Sequence, residues 1–256
     1  MVGPFVAGFR YVPAGFRWLL KPGIRRYVMI PILINALVFA AGIAWLTGAI
    51  GEMQIAVTDW LPDWLDWLAW LLWPLALLAS LVVVWTGFTV LANLIGSPFN
   101  GLLSERVRAA HAPGLGPAAP TRWQDLLRAP IDELRKLAYF AILAIGPLIV
   151  SLMPVVNVAA PLVWGVFGAW ILIVEYADYP LGNAGLRPRA QRALLRGNRR
   201  LSLGFGAGVL LMTVVPGLNL VAMPTAVIGA TLLWCDRLAP SAGAGRGDAA
   251  AARGVE

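Results

Sequence analysis

The chain contains few of the residues from which disulfides and metal centres are built. Its 256 residues include one cysteine, Cys235, and one histidine, His111. A single cysteine excludes a disulfide within the chain, and this pair alone makes a Cys/His metal site implausible. Cys235 lies in an apolar run and is expected to be a packed, inert thiol. His111 lies in a Pro/Gly/Ala-rich segment and is expected to be a solvated loop residue.

Catalytic and nucleotide-binding motifs are also missing. The sequence has no Ser/His/Asp arrangement, no metal-ligand spacing and no glycine-rich loop that would cradle a phosphate. A membrane-embedded enzyme would therefore lack a recognisable catalytic set, and an ATP-driven pump within this chain is excluded. We expect neither an enzyme nor a protein with a cofactor or a bound metal.

The chain also has few charged residues and many apolar ones. Charged residues make up 13% of the chain and hydrophobic residues 59%, with a mean hydropathy of +0.75. A soluble domain carries about twice that share of charge. The twelve tryptophans suit membrane–water interfaces. The composition predicts an all-α integral membrane protein with one membrane domain over residues 1–238.

Two uncharged runs, of 38 and 33 residues, are interrupted near their middles. The first contains Pro154 and Asn157, and the second contains Pro216 and Asn219 at the same spacing. Because proline breaks helices, each run is predicted to form two helices of about 13 to 17 residues that meet at a Pro-x-x-Asn turn. A full span needs roughly 20 apolar residues, so these arms predict re-entrant hairpins. A matched pair of such breaks points to a solute path.

The other segments follow from apolar and charged patterning. The predicted segments are an interfacial amphipathic helix at 1–21, long spans at 27–50 and 67–96, a charged helix at 121–136, re-entrant hairpins at 137–174 and 203–235, and a disordered tail at 239–256. The first segment has apolar residues at helical spacing with basic residues between them, which suits the membrane interface or the buried face of a short helix. Ser97-Pro98 is predicted to break the helix after the second span, and the helix then restarts.

The basic residues predict the orientation in the membrane. None of the 20 Lys and Arg residues lies between Gly51 and Asp66, a segment with four acidic residues. By the positive-inside rule this segment faces out and both termini are cytoplasmic. Replacing each hairpin by two full spans would leave the same charges on the same sides. Arm length, rather than charge, therefore distinguishes hairpins from spans.

The candidate binding site lies at the start of the first span. Gly23, Ile24, Arg25 and Arg26 occupy a predicted helix N-terminus, where unpaired N–H groups and a partial positive charge favour anions. Gly23 would let an anion approach the backbone, and the forked donors of Arg25 or Arg26 match a tetrahedral oxyanion. This pattern predicts a sulfate or phosphate site. The alternative is that paired arginines at a cytoplasmic boundary serve as topology signals and lipid contacts.

Further charged residues follow the Ser97-Pro98 break. Candidates for structural ion pairs, or for contacts along a solute pathway, are Glu105, Arg106, Arg108 and Arg128. Structural pairing with the charged helix at 121–136 is the favoured interpretation. Asp178 and Asn183 are expected to be capping and turn residues.

Four motifs in a fixed order resemble the CysZ family of bacterial inner-membrane sulfate transporters. They are the residues at 21–26 (KPGIRR), those at 97–105 (SPFNGLLSE), those at 178–180 (DYP), and the spacing from Pro216 through Asn219 to Pro224. No single motif is decisive, whereas the ordered set is specific and covers about residues 5–238. Eukaryotic relatives of this family are etoposide-induced membrane proteins.

The resemblance implies sulfate uptake for assimilatory cysteine biosynthesis by a channel-like or secondary mechanism without ATP hydrolysis. It also implies two long membrane helices, two pairs of half-penetrating helices, and a homo-oligomer built from dimers or a hexamer. The family's sulfate site corresponds here to Gly23, Ile24, Arg25 and Arg26. A non-transporting membrane scaffold remains an alternative, as does a transporter of another oxyanion such as sulfite or thiosulfate.

Overall fold

The computed structural model describes residues 3–60, 66–119 and 123–239, and the regular secondary structure within these ranges is helical. The helices are α1 (Pro4–Phe9), α2 (Tyr11–Leu19), α3 (Arg25–Trp60), α4 (Asp66–His111), α5 (Trp123–Leu152), α6 (Ala160–Asn183), α7 (Pro188–Gly197), α8 (Arg199–Val214) and α9 (Asn219–Leu233). The all-α prediction is confirmed. The predicted tail from residue 240 onward lies outside the described residues.

Contacts divide the chain into two compact units. The first comprises Met1–Arg25 and Asn100–Glu256, and the second comprises Arg26–Phe99. In the second unit the rings of Phe39 and Phe88 lie 4.7 Å apart, which brings α3 and α4 together. The first unit holds the main core, where side chains such as Phe205 and Ile173 are fully buried.

Four helical segments among the described residues are long and apolar enough to cross a membrane, judged by length and composition. They are Arg25–Ile50, Leu127–Leu152, Val156–Asn183 and Asn219–Leu238. The first agrees with the span predicted at 27–50, although α3 continues as a helix to Trp60. The chain is therefore a helical membrane protein.

The predicted break at Ser97-Pro98 is wrong. The helix α4 runs unbroken from Asp66 to His111, well past the predicted end of the second span at residue 96, and it contains Pro98. A proline inside a helix removes one hydrogen bond and favours a kink, and a long helix can continue past it. Beyond the proline, Leu103 and Val107 are almost completely buried, so packing favours the helical conformation there.

The two predicted hairpin breaks are confirmed. The helix α5 ends at Leu152 and α6 begins at Ala160, with a 3₁₀ turn at Val156–Ala159 between them. The second break separates α8, which ends at Val214, from α9, which begins at Asn219. Both breaks lie at the predicted prolines, as expected from the missing N–H of this residue.

The expected arm length of 13 to 17 residues is confirmed for the second hairpin and wrong for the first. The helices α8 and α9 have 16 and 15 residues, whereas α5 and α6 have 30 and 24. The helix α5 is longer because the charged helix predicted at 121–136 and the first apolar arm form one continuous helix, and α6 is longer because it continues beyond residue 174 to Asn183. The uncharged parts alone, 137–152 and 160–174, have 16 and 15 residues. The re-entrant placement of both hairpins stays a prediction.

The amphipathic N-terminal segment folds as two short helices that contact other helices of the first unit. The helix α1 packs on α8, and α2 packs on α9. Val12 and Leu19 of the apolar side are buried, while Phe5 and Leu20 remain exposed. The sequence left two alternatives for the apolar side of this segment, contact with the membrane interface or burial against protein. In the structure much of this side is buried against protein.

Glycines allow these helices to approach each other at backbone distance. A Cβ added at Gly8 of α1 would collide with the Leu201 carbonyl of α8, and one at Gly204 of α8 would collide with the Phe5 carbonyl of α1. Small residues at helix interfaces are the usual means of close packing in membrane proteins, where lipid supplies no hydrophobic driving force between helices. This reciprocal contact fixes α1 against α8.

Candidate functional site

The turn between α2 and α3 contains the predicted anion site. Gly23 has φ of +86°, a left-handed conformation that side-chain-bearing residues rarely adopt. A Cβ added there would meet no described atom within 4 Å, so one side of Gly23 is open. The N–H groups of Ile24 and Arg25 both donate to the Lys21 carbonyl, at 3.1 and 3.3 Å. The Ile24 N–H is therefore already used inside the turn, contrary to the expectation that it faces an anion.

The other residues of the motif differ sharply in exposure. Ile24 is only 4% exposed and anchors the turn. Arg25, the first residue of α3, is exposed, as is Arg26. The Arg26 guanidinium lies against its neighbour Tyr27, with Nη2 3.4 Å from the hydroxyl oxygen. Within the described residues neither arginine forms an ion pair with a carboxylate, so both charges remain free to meet an anion.

A chain of side-chain contacts leads from this turn to the end of the second hairpin. The Lys21 Nζ lies 3.2 Å from the centroid of the Trp18 ring, and the Trp18 and His111 rings form a T-shaped pair with 5.4 Å between their centroids. The His111 Nε2 is 2.8 Å from Asp236 Oδ1. Tyr11 donates to the other oxygen of the same carboxylate at 3.2 Å. The expected loop position of His111 is wrong, because His111 ends α4 and contacts Asp236, whereas its expected exposure to solvent is confirmed.

Glu105 and Arg108 form a two-pronged ion pair within α4. The Arg108 Nε and Nη2 donate to the two carboxylate oxygens at 2.8 and 2.6 Å. This hydrogen-bonded guanidinium holds the pKa of the Glu105 carboxyl below its ordinary value of 4.5. The structure thus pairs Glu105 within its own helix rather than with the charged part of α5. Arg106 and Arg128 are exposed and have no ion pair in the described part of the chain.

A buried lysine missed by the sequence analysis joins α5 to α6. The Lys136 Nζ lies 2.9 Å from carboxylate oxygens of both Glu133 and Glu175, and 3.9 Å from Asp178. The lysine side chain is only 10% exposed, whereas its three partners are about half exposed. Asp178 therefore contributes to an ion cluster rather than acting as a simple capping residue. A signal was present, because Lys136 and Glu175 are the charged residues that flank the uncharged run.

Asn183 and Asn100 connect the C-terminal part of α4 to α6. The Asn183 Nδ2 donates to the Gly101 carbonyl at 3.0 Å, and the Asn100 Nδ2 lies 3.4 Å from the Tyr179 hydroxyl. Asn183 is also the last residue of α6, as expected for a turn position. Its additional contact with another helix could not be predicted from its place in the sequence.

The two hairpin tips share one backbone pattern. The Asn157 N–H donates to the Met153 carbonyl at 3.0 Å, and the Asn219 N–H donates to the Val215 carbonyl at 3.2 Å. Both asparagines are exposed. The predicted similarity of the two Pro-x-x-Asn turns is confirmed at the level of the backbone. Within the described residues, no three His, Cys, Asp or Glu side chains are arranged to hold a metal ion.

Comparison with known proteins gives a consistent result over most of the chain. Residues 11–224 match the family described as sulfate transporter CysZ/etoposide-induced protein 2.4. A sulfate transporter CysZ from Pseudomonas paraeruginosa is 40% identical over 235 residues, which cover 90% of this chain and 95% of that protein. Its namesake from Pseudomonas fluorescens Pf-5 is 41% identical over 91% of this chain and 95% of the relative. That from Pectobacterium atrosepticum is 39% identical, over 90% and 85%.

Proposed function

Because this chain belongs to the sulfate transporter CysZ/etoposide-induced protein 2.4 family, we propose that it takes up sulfate across the bacterial inner membrane for cysteine biosynthesis. The observation that carries the proposal is the similarity, over nine-tenths of the chain, to relatives named sulfate transporters. The described helices long enough to span a membrane agree with a transport role. These relatives are transporters by name and not enzymes. We further propose a channel-like or secondary mechanism without ATP hydrolysis.

We assign sulfate binding to the turn at Gly23, with charge supplied by Arg25 and Arg26. A divalent anion that leaves water needs several donors, because a buried charge without partners is very costly. The left-handed conformation of Gly23 and the open space beside it support close approach to the backbone. The exposed arginines, without carboxylate partners among the described residues, support the charge assignment. Ile24 serves this site as a buried anchor.

Sulfate binding by purified protein tests the site. Replacing Arg25 and Arg26 together by alanine should weaken binding by at least about tenfold, since charge-assisted hydrogen bonds are typically worth more than 1.4 kcal/mol. Lysine at both positions should restore only part of the affinity, because it retains the charge but not the forked geometry. The amount of each variant in the membrane is the control, since these arginines also bear on topology. Unchanged binding by a normally inserted alanine variant would move the site elsewhere.

Uptake into liposomes tests the function separately from the site. Radiolabelled sulfate should enter vesicles that contain the protein and should not enter empty vesicles. Competition with sulfite, thiosulfate and phosphate distinguishes a sulfate transporter from one for another oxyanion. Binding without uptake would favour a membrane scaffold. A cell that depends on this chain for growth on sulfate should still grow on cysteine.

We propose that both termini face the cytoplasm and that both hairpin tips remain within the membrane. The absence of Lys and Arg from residues 51–66 supports the orientation. Reporter fusions near Asp59 and at the C-terminus should report opposite sides. Cysteines introduced at Asn157 and Asn219 should not react with an impermeant reagent added from outside. Ready labelling at either tip would indicate full spans.

We also propose that the protein assembles with copies of itself, as a dimer-based oligomer or a hexamer. The proposal rests on the resemblance to the transporter family, whose members form homo-oligomers. Mass measurement of the detergent-solubilised protein, corrected for bound detergent, should give a multiple of 27.4 kDa. A monomer that transports sulfate would contradict this part of the proposal.

A further inference from the structure

The helix α7 and its flanks form a concentrated basic surface. Six arginines lie within fourteen residues, at Arg187, Arg189, Arg192, Arg196, Arg199 and Arg200. The sequence has no acidic residue between Asp178 and Asp236, so local neutralisation along the chain is impossible. In the part of the chain that the structure describes, none of the six forms an ion pair. These six positive charges are therefore available to bind anions from outside the chain.

The opposite face of α7 is fixed to the protein. Leu195 is 1% exposed and Gln191 is 5% exposed. The Gln191 Nε2 donates to the Leu186 carbonyl, and the Asn198 Nδ2 donates to the Leu194 carbonyl, each at 3.0 Å. The Leu195 carbonyl also accepts a hydrogen bond from Ser202 Oγ of α8 at 3.1 Å. Leu195 belongs to the hydrophobic core, and its burial determines which side of α7 faces outward. The arginines therefore project from a held platform rather than from a loose connector.

Tyr139, near the start of the apolar part of α5, lies close to two arginines of this basic surface. The guanidinium carbons of Arg192 and Arg196 lie 5.0 and 5.5 Å from the centre of the Tyr139 ring. The hydroxyl of Tyr139 accepts a hydrogen bond from Trp170 Nε1 at 2.7 Å. Tyr139 comes three residues after Lys136, the last charge on α5 before the uncharged stretch. Tyrosine and tryptophan at such a transition are typical of the membrane–water interface.

Two guanidinium groups beside one ring repel each other, and an anion that lies between them offsets this repulsion. Arg192 and Arg196 are one helical turn apart, and among the described residues no carboxylate compensates either charge. A phosphate can accept hydrogen bonds from both, since guanidinium groups match its oxygens in geometry and charge. At a membrane–water interface, the phosphates present in highest number are those of the lipids.

We propose that the exposed face of α7, together with Arg199 and Arg200, binds the phosphate headgroups of anionic phospholipids, with Arg192 and Arg196 as the central pair. A lipid is favoured over free sulfate because the arginines spread along a surface at the apolar boundary rather than around a pocket. Basic segments beside the apolar part of a membrane protein attract anionic lipids in this way. The site is distinct from the turn at Gly23.

Native mass spectrometry of the full chain in detergent tests this proposal, with phosphatidylglycerol and phosphatidylcholine as probes. The parent should bind phosphatidylglycerol in preference to phosphatidylcholine. In R192Q/R196Q this preference should fall by roughly tenfold or more, since each basic residue near a membrane surface contributes severalfold to anionic-lipid affinity. The matched control R25Q/R26Q also removes two arginines and should retain the preference. Sulfate binding should instead be retained in R192Q/R196Q and weakened in R25Q/R26Q.

The variants also separate lipid from free anion. R192Q/R196Q that keeps the parent's preference for phosphatidylglycerol would overturn the proposal. Loss of sulfate binding in this variant, with lipid preference unchanged, would identify a site for free oxyanions and would also overturn it. If R192Q/R196Q cannot be isolated as folded protein, the same measurement is made on a variant of the exposed residues Arg189 and Arg199. R189Q/R199Q should then lose part of the lipid preference, and an unchanged preference would refute the inference.

Discussion

Val155 and Gly217 occupy equivalent positions in the two hairpin tips, and both have positive φ, 72° and 83°. Each follows the proline of its Pro-x-x-Asn turn. At the first tip the Val156 N–H donates to the Pro154 carbonyl at 2.9 Å, which makes Val155 the centre of a tight three-residue turn. Glycine adopts this conformation readily, whereas a β-branched valine is strained there. The first tip therefore holds a conformation for which its residue is poorly suited.

The substitutions Val155→Gly and Gly217→Val should differ in their effect on stability. Val155→Gly should leave the thermal midpoint unchanged or raise it, because relief of strain offsets the added freedom of the unfolded chain. Gly217→Val should destabilise by about 1–3 kcal/mol, the usual cost of an unfavourable backbone conformation. Thermal unfolding in detergent measures both. Val156→Gly, at the next residue of the same tip, is the control and should not stabilise. A lower midpoint for Val155→Gly would argue against strain at the tip.

The close contact of α1 and α8 should depend on Gly204. Gly204→Ala places a methyl group against the Phe5 carbonyl and should destabilise by about 1–3 kcal/mol through overpacking. Gly165→Ala is the matched control, because a Cβ there meets no described atom within 4 Å. In a helix this change should be neutral or favourable by roughly 0.5–1 kcal/mol. Equal effects of the two substitutions on the unfolding midpoint would contradict the backbone contact.

Lys136 should be needed to hold the first hairpin together. Lys136→Met removes the cation with which, among the described residues, all three carboxylates of its ion cluster are paired. We expect a loss of about 1–3 kcal/mol, below the range for a fully buried pair because the carboxylates are half exposed. The neighbouring Arg135→Met breaks an exposed pair with Asp132 and should change stability by less than about 0.5 kcal/mol. Similar midpoints for both variants would show that the cluster contributes little.

The Glu105–Arg108 pair should make part of the stability depend on pH. Because the folded-state pKa of Glu105 is lowered, its contribution is fully present above the ordinary value of 4.5. It is lost as the pH falls through the lowered folded-state pKa. Glu105→Gln should therefore reduce the dependence of the unfolding midpoint on pH below about 4.5 and be less stable than the parent at pH 7. Parallel pH profiles for the parent and the variant would refute this assignment.

Local chemistry made much of the architecture predictable. Proline removes a backbone donor wherever it stands, so the breaks at Pro154 and Pro216 could be predicted from the sequence, although α5 continues past Pro147. The same rule failed at Pro98, where burial of Leu103 and Val107 favours continuation of α4. The contact of Lys136 with Glu175, at 2.9 Å, was also implicit in the sequence, because folding an uncharged run into a hairpin brings its two ends together.

Which helices meet was decided by the tertiary structure. Asp236 follows the second uncharged run, yet its carboxylate contacts His111 and Tyr11, both more than a hundred residues away in sequence. The order of residues specifies apolar faces and small residues, but many pairings of such faces bury similar area. Close contacts such as those of Gly8 with Leu201 and of Gly204 with Phe5 favour one pairing, because a side chain at either glycine would clash with the backbone of the other helix.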